Sequence, residues 1–235
     1  MYKVPGMKKN KHNCDLKSCF LCQRCLPEWV PAIDANRKNL HFKKGELIFS
    51  EGDEVSGIYF VYNGKVKVHK QWGTEKELII RFARKGDIFG HRGLGYEKTI
   101  YPISATALEP VNLCFIDLDF FRTTLKVNYD FIYQLLLFFA DELQESEKKM
   151  RNLAHMQVKG RIAQALLSLQ DKFGTTRDGF IDVTLSRQDL ASFAGTTYET
   201  VFRIINEFEQ EEIILLNGKN ISLIDTGKLI AYTGS

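Results

Sequence analysis

The 235-residue chain predicts an α+β protein built from a small β-barrel or sandwich, one long helix and a C-terminal winged helix-turn-helix. Three observations carry that expectation. Residues 37–118 are short apolar runs cut by nine glycines from Gly45 to Gly95, and β-rich segments with turn signals this dense close into a sandwich or barrel. Residues 130–155 hold neither glycine nor proline and repeat apolar side chains at helical spacing. Residues 186–223 then read as helix, tight turn, helix and hairpin.

Residues 1–36 form a polar, cysteine-bearing arm. In the barrel region, 37–118, the strand runs are ELIFS, GIYFVY, KVKVHK, ELIIRF and ATALEPVNLCFI, and Asn63-Gly64 marks a hairpin-type turn. Residues 119–156 supply the long helix and a hinge. There Ile132, Leu136, Phe139, Leu143, Ser146, Met150 and Leu153 are spaced alternately four and three apart, a coiled-coil seam interrupted only by Ser146. A core helix packed on the barrel is the competing reading. The charged second half, DELQESEKKMR, has too little apolar surface for full burial, which favours a helix that pairs two copies.

Residues 157–235 make the last domain, opening on the amphipathic VKGRIAQALLSLQDKFG. Ser186 and Asp189 suit a capping box for the next helix. Ala191 is small where two helices approach, and Gly195 suits a turn that needs positive φ. Thr196 and Glu199 suit a second box. Val201, Ile204 and Ile205 then face the core, which leaves Thr197, Tyr198, Glu199, Phe202 and Arg203 outward. Such a face suits the major groove: Arg203 can fork onto guanine, and Glu199 can accept from a cytosine amino group. Helix N-termini favour phosphate, and Arg187, Thr197 and Lys219 are the phosphate candidates, with Lys219 at the tip of a wing around Asn217-Gly218. An ordinary helical hairpin with solvated charges is the plainer alternative.

Composition narrows the class. With 44% hydrophobic and 26% charged residues the chain is globular rather than disordered or fibrous. No apolar run approaches the roughly 20 residues that cross a bilayer, and the basic N-terminus lacks a following apolar segment, so a soluble cytoplasmic protein without membrane contact is expected. The net charge is +3, but residues 157–235 carry eight Lys/Arg against ten Asp/Glu. DNA binding therefore has to come from local placement. Enzymatic motifs are missing: the five histidines are scattered, and no Walker loop, G-x-S-x-G or G-x-G-x-x-G occurs.

Taken together, GELIFSEGD, KGDIFGHRGLG, NLAHMQVKGRIAQALL and SRQDLASFAGTTYETVFRII resemble the Crp/Fnr family of bacterial transcription regulators, over nearly all of residues 14–225. The resemblance implies a double-stranded β-helix (jelly-roll) barrel of cyclic-nucleotide-binding type, a homodimer on palindromic double-stranded DNA, and contact with RNA polymerase. The family's E-x-x-x-R falls on Glu199 and Arg203. Phe202 stands where the best-known members have Ser or Gly, and Tyr198 where cAMP receptors have Arg, so an operator with altered bases is expected.

The effector pocket implied by the family falls on Gly90, His91, Arg92, Tyr101, Pro102 and Ser146. Tyr101 and Pro102 replace the Arg-Ser pair that takes the cyclic phosphate, and Ser146 and Glu147 replace the adenine-facing Thr-Ser. cAMP is therefore not the expected effector. The odd cysteine count, with Cys14, Cys19, Cys22 and Cys25 crowded together and Cys114 apart, speaks for metal or redox chemistry over disulfides. Oxygen-sensing members resembling Fnr hold a [4Fe–4S] cluster with three N-terminal cysteines and one in the barrel, and Cys114 matches that distant ligand. The spacing here departs from C-x2-C-x5-C, leaving four arm cysteines for three places. Zinc on the arm, metal-free thiols with a small-molecule effector, and a ligand-binding module that acts through protein contacts stay open as alternatives.

Overall fold

The computed structural model describes residues 18–73, 76–95 and 99–234. The chain packs as two units, Met1–Glu75 with Ile80–Glu142, and Lys76–Ile79 with Leu143–Ser235. No helix among the described residues is long and apolar enough to cross a membrane.

The barrel is made of β1 (Lys38–Phe42), β2 (Leu47–Phe49), β3 (Gly57–Asn63), β4 (Val66–Trp72), β5 (Lys76–Ala83), β6 (Ile88–Phe89), β7 (Ser104–Ala107) and β8 (Val111–Asp117). They form two four-stranded sheets, β1-β8-β3-β6 and β2-β7-β4-β5, the expected jelly-roll. Asn63-Gly64 is a turn with Gly64 at φ +94°, but it closes no hairpin. It carries the chain from β3 in one sheet to β4 in the other, correcting the expectation from sequence.

The sheet holding β8 is buried on both faces. Tyr59, Val61, Leu113 and Phe115 point into the barrel core, whereas Ile58, Phe60, Cys114 and Ile116 point outward into a second apolar cluster. Period-2 alternation places successive side chains on opposite faces, so a strand covered on both sides reads as a continuous apolar run. The outer cover is α1 (Val30–Asn36), α2 (Leu118–Val127), the start of α3 (Tyr129–His155), and the cysteine segment before α1. That segment is not a free polar tether where it is described. Leu21 is fully buried, the Phe20 amide donates to Gly86 O at 3.0 Å, and the Leu26 amide donates to Asn128 Oδ1 at 2.9 Å.

In α3, Ile132, Leu136, Leu143 and Met150 of the seam are exposed, Leu136 by 63%, while Phe131 and Leu135 are buried. One chain therefore leaves much of its apolar seam in water.

The second unit continues with α4 (Val158–Phe173), α5 (Arg187–Ala194), α6 (Tyr198–Gln210), β9 (Ile214–Asn217), β10 (Asn220–Leu223) and α7 (Thr226–Tyr232). β9 and β10 form the expected hairpin, its two-residue loop being Gly218-Lys219. Arg161 of α4 ties this unit together. Its guanidinium donates to Ala194 O and Gly195 O, both at 3.1 Å, at the end of α5, and to Met156 O at 3.0 Å and Leu153 O at 3.4 Å, at the end of α3. Carbonyls at helix C-termini lack intrahelical partners, and a cation there also meets the negative end of the helix dipole.

Candidate functional site

The recognition surface is set by caps and by one glycine. Ser186 and Asp189 make the predicted reciprocal capping box that starts α5. Gly195 ends α5 at φ +65°, a conformation that side chains rarely adopt, and a Cβ there would also displace the Leu153 side chain, whose Cδ2 would lie 2.3 Å away. The start of α6 differs from expectation: its N-cap is Thr197, whose hydroxyl accepts from the Thr200 amide at 3.3 Å, and not Thr196 boxed with Glu199. Either threonine could cap in principle, and the fold chooses the later one because the Thr196 amide is drawn back to Ala191 O.

From that start the helix turns Val201, Ile204, Ile205 and Phe208 inward and leaves Thr197, Tyr198, Glu199, Phe202 and Arg203 exposed. The Arg203 side chain is 69% exposed and only loosely paired, with Glu207 at 3.7 Å. Arg187 sits against the wing, its guanidinium donating to Gly218 O at 3.4 Å, and Lys219 is exposed at the hairpin tip. Arg187 and Lys219 edge a depression lined by Leu169, Ile181, Leu190 and Ile221. The unit thus presents an acceptor, a guanidinium, two aromatic rings and two further cations to solvent.

The barrel cassette is arranged the opposite way. Gly90, at φ +84°, lies against Tyr59 and Tyr101. Tyr101 is not a lining residue open to solvent: it is fully buried, stacks on Phe49 with ring centres 3.9 Å apart, and donates its hydroxyl to Gly57 O at 2.7 Å. Phe49 in turn stacks on Tyr59 and Phe89, and Tyr59 packs on Phe89 and Phe115, so that the rings form one cluster inside the barrel. Pro102 offers its carbonyl to Lys70 Nζ at 3.2 Å, and Ser146 is exposed on α3.

Arg92 faces Glu142 of α3, its Nη2 donating to Oε2 at 2.7 Å, and Arg81 of β5 donates to Oε1 at 2.5 Å. Arg81 also donates to Ile88 O. Burial opposes the Glu142 charge, but the two guanidinium groups outweigh it and hold the carboxyl below its usual range. His91 is buried between the edges of Phe138 and Phe139. Its Nε2 lies 3.9 Å from Glu142 Oε2, beyond hydrogen-bond range, and neither ring nitrogen has a partner among the described residues. Burial first, then Arg81, lower its pKa to about 3, so the ring is neutral. Glu142 and Arg81 were not singled out in the sequence, where nothing but proximity in the fold distinguishes them.

Cys19, Cys22, Cys25 and Cys114 are all buried in the one apolar cluster outside the barrel sheet, and none forms a disulfide. Cys19 to Cys25 lie on successive tight turns, with the Gln23 amide on Cys19 O and the Cys25 amide on Leu21 O. Burial, helped by Cys19, pushes the Cys25 thiol up to about 12. Cys14 lies outside the described residues. No three His, Cys, Asp or Glu side chains among the described residues converge on a position for a single metal ion.

A jelly-roll joined by a long helix to a winged helix-turn-helix is the architecture of a ligand-regulated DNA-binding protein. The cyclic nucleotide-binding domain model matches residues 39–128, and the Crp-like helix-turn-helix domain model matches residues 160–232. The chain is 28% identical to the transcriptional activator protein Anr of Pseudomonas protegens over 238 residues, covering 97% of this chain and 96% of that one. It is 30% identical to the cAMP-activated global transcriptional regulator CRP of Escherichia coli O157:H7 over 208 residues, 85% of this chain and 97% of the relative. Among solved structures, FixK2 from Bradyrhizobium japonicum aligns with a TM-score of 0.75 at 22% identity, over 83% of this chain and 96% of that one, a likeness of fold. The chain belongs to the Crp/Fnr family and is a DNA-binding transcription regulator.

Proposed function

We propose that the chain acts as a homodimer on a two-fold symmetric operator, with Glu199 and Arg203 reading base edges while Arg187, Thr197 and Lys219 hold phosphates. The observation that carries this is the outward face of α6, where an acceptor and a barely paired guanidinium stand four residues apart on a helix whose other face is core. The exposed α3 seam supports pairing through a second copy. RNA polymerase is the partner that turns DNA occupancy into altered transcription, the cytoplasm is where this happens, and no catalytic step is assigned. Selecting sites from random DNA with the intact chain tests the reading: a palindromic motif that loses its preference at one base pair per half-site on Arg203→Ala is the expected result, and recovery of no two-fold motif overturns it.

For the effector we propose a [4Fe–4S] cluster held by Cys19, Cys22, Cys25 and Cys114. The chemistry of the donors supports this: thiolate is the usual ligand of such clusters, and four buried thiols, three on the segment and one on β8, lie in one apolar cluster. Bound there, the cluster supplies an oxygen- and redox-sensitive group. The chain's own part is mechanical. Cys114 is fixed on β8, whereas Cys19, Cys22 and Cys25 ride on the segment packed over that sheet, so the four thiols couple the position of the segment to the barrel and to the start of α3. cAMP activates the E. coli relative, but here Arg92 of the cassette and Arg81 of β5 are engaged by Glu142, and the barrel interior holds stacked aromatic rings. Equal operator affinity with and without a reconstituted cluster would count against this sensor.

A further inference from the structure

We propose that Tyr198 and Phe202 form an aromatic platform that reads the 5-methyl group of thymine, so that each operator half-site carries a T·A pair opposite these rings. The inference rests on the reading that α6 enters the major groove and adds what its most unusual side chains recognise there.

Tyr198 is the first residue of α6, and Phe202 follows one turn later. Residues four apart share a helix face, and here the two rings lie with centroids 6.3 Å apart and planes 16° from parallel. Both are held out in water, Tyr198 by 44% and Phe202 by 50%. The core of this unit is already complete beneath them, with Val201, Ile204, Ile205 and Phe208 at or near full burial. A contiguous apolar patch with no role in the core marks a contact surface. It adjoins Glu199 and Arg203, so whatever meets those two charges meets the rings as well.

The chemistry of the groove then limits the target. Phe202 has no hydrogen-bonding group, and the edges of G, C and A in the major groove are built from donors and acceptors. Pressing an apolar ring on those edges strips water from polar atoms without replacing their hydrogen bonds, which is unfavourable. Thymine alone presents an apolar group, its methyl. A short side chain at position 202 would leave that methyl in water; the pair of rings covers it. Buried CH₂-sized groups contribute about 0.8 kcal/mol each, which corresponds to about a fourfold change in affinity per methyl.

The test is a methyl scan on the operator selected by the intact chain, replacing each dT by dU in turn so that only the methyl is lost. One position per half-site should weaken binding about fourfold, and the symmetric double replacement about fifteenfold. Phe202→Ser and Tyr198→Ala, both at exposed positions, should bind the dT and dU operators equally. Full insensitivity to every dU replacement overturns the inference, as does an unchanged methyl effect in the protein carrying both Phe202→Ser and Tyr198→Ala. Sequence-specific binding that depends on Arg203 but ignores every methyl would refute the thymine reading alone. Absence of any selected motif would refute the base-reading role of α6 with it.

Discussion

The barrel unit and the face of α6 both set arginine against glutamate, and they use the pairing in opposite ways. In the barrel, Arg81 and Arg92 converge on Glu142 at 2.5 and 2.7 Å, largely out of water. On α6, Arg203 stands in solvent with its nearest carboxylate at 3.7 Å. Paired and buried charges fix one element against another; unpaired and exposed ones are available to a ligand. The contrast says that Arg92 of the cassette and Arg81 of β5 are tied to the middle of α3 by the chain's own carboxylate, whereas α6 leaves its guanidinium in solvent.

The contrast can be broken most severely at Glu142. Glu142→Ala leaves two guanidinium groups facing each other in a partly buried site, and removing one member of such a set is more costly than the set is worth. A loss of about 2–4 kcal/mol in the unfolding free energy of the first unit is expected, read by denaturant titration. A loss below about 0.5 kcal/mol would mean that the three groups are solvated as surface charges are.

At Arg203 the effect should fall on discrimination instead of stability. Arg203→Ala is expected to lose about 1–3 kcal/mol of preference at one base pair per half-site. Lys219→Ala should weaken all sequences alike and lower the salt dependence by about one phosphate contact. Binding isotherms on matched and mismatched operators at several salt concentrations separate the two. Equal losses on every sequence from both variants would erase the distinction between base and phosphate contacts.

His91 sharpens the comparison at the smallest scale. Its folded pKa, about 3, lies below the ordinary 6.5, so protons bind the unfolded chain first as pH falls. Its contribution to stability is complete above pH 6.5 and declines from there toward 3. The groups facing it are Arg81, Arg92 and Glu142, with Phe138 and Phe139 against the ring. His91→Leu should change stability by less than about 1 kcal/mol at pH 7.5, because no hydrogen bond to the ring is lost. It should also flatten the pH dependence between 6.5 and 4.5. An unchanged slope would mean that the ring titrates as it does in water.

What the sequence could and could not show follows from how local each signal is. The α5 capping box and the turn at Gly195 are encoded within a few residues and were legible. At the α6 cap the sequence suits Thr196 and Thr197 alike, and the decision for Thr197 rests with the Thr196 amide bonded back to Ala191. Asn63-Gly64 was legible as a turn, but which sheet β4 joins depends on β7, about forty residues away. Glu142 was invisible for the same reason, since its partners are 61 and 50 residues distant in sequence. The placement of Cys114 on the outer face of β8, in the same apolar cluster as Cys19, Cys22 and Cys25, likewise needs the fold.

If the barrel interior is closed with the chain's own side chains, the signal has to enter elsewhere, and the buried thiols at the outer face of β8 are where we propose that it enters. Iron, acid-labile sulfide and zinc should therefore be counted per chain, with the visible spectrum, on protein purified without oxygen. About four irons and four sulfides, falling sharply in Cys114→Ser, is the predicted result. Stoichiometric zinc, or protein free of metal that still switches its operator affinity with another effector, would contradict it.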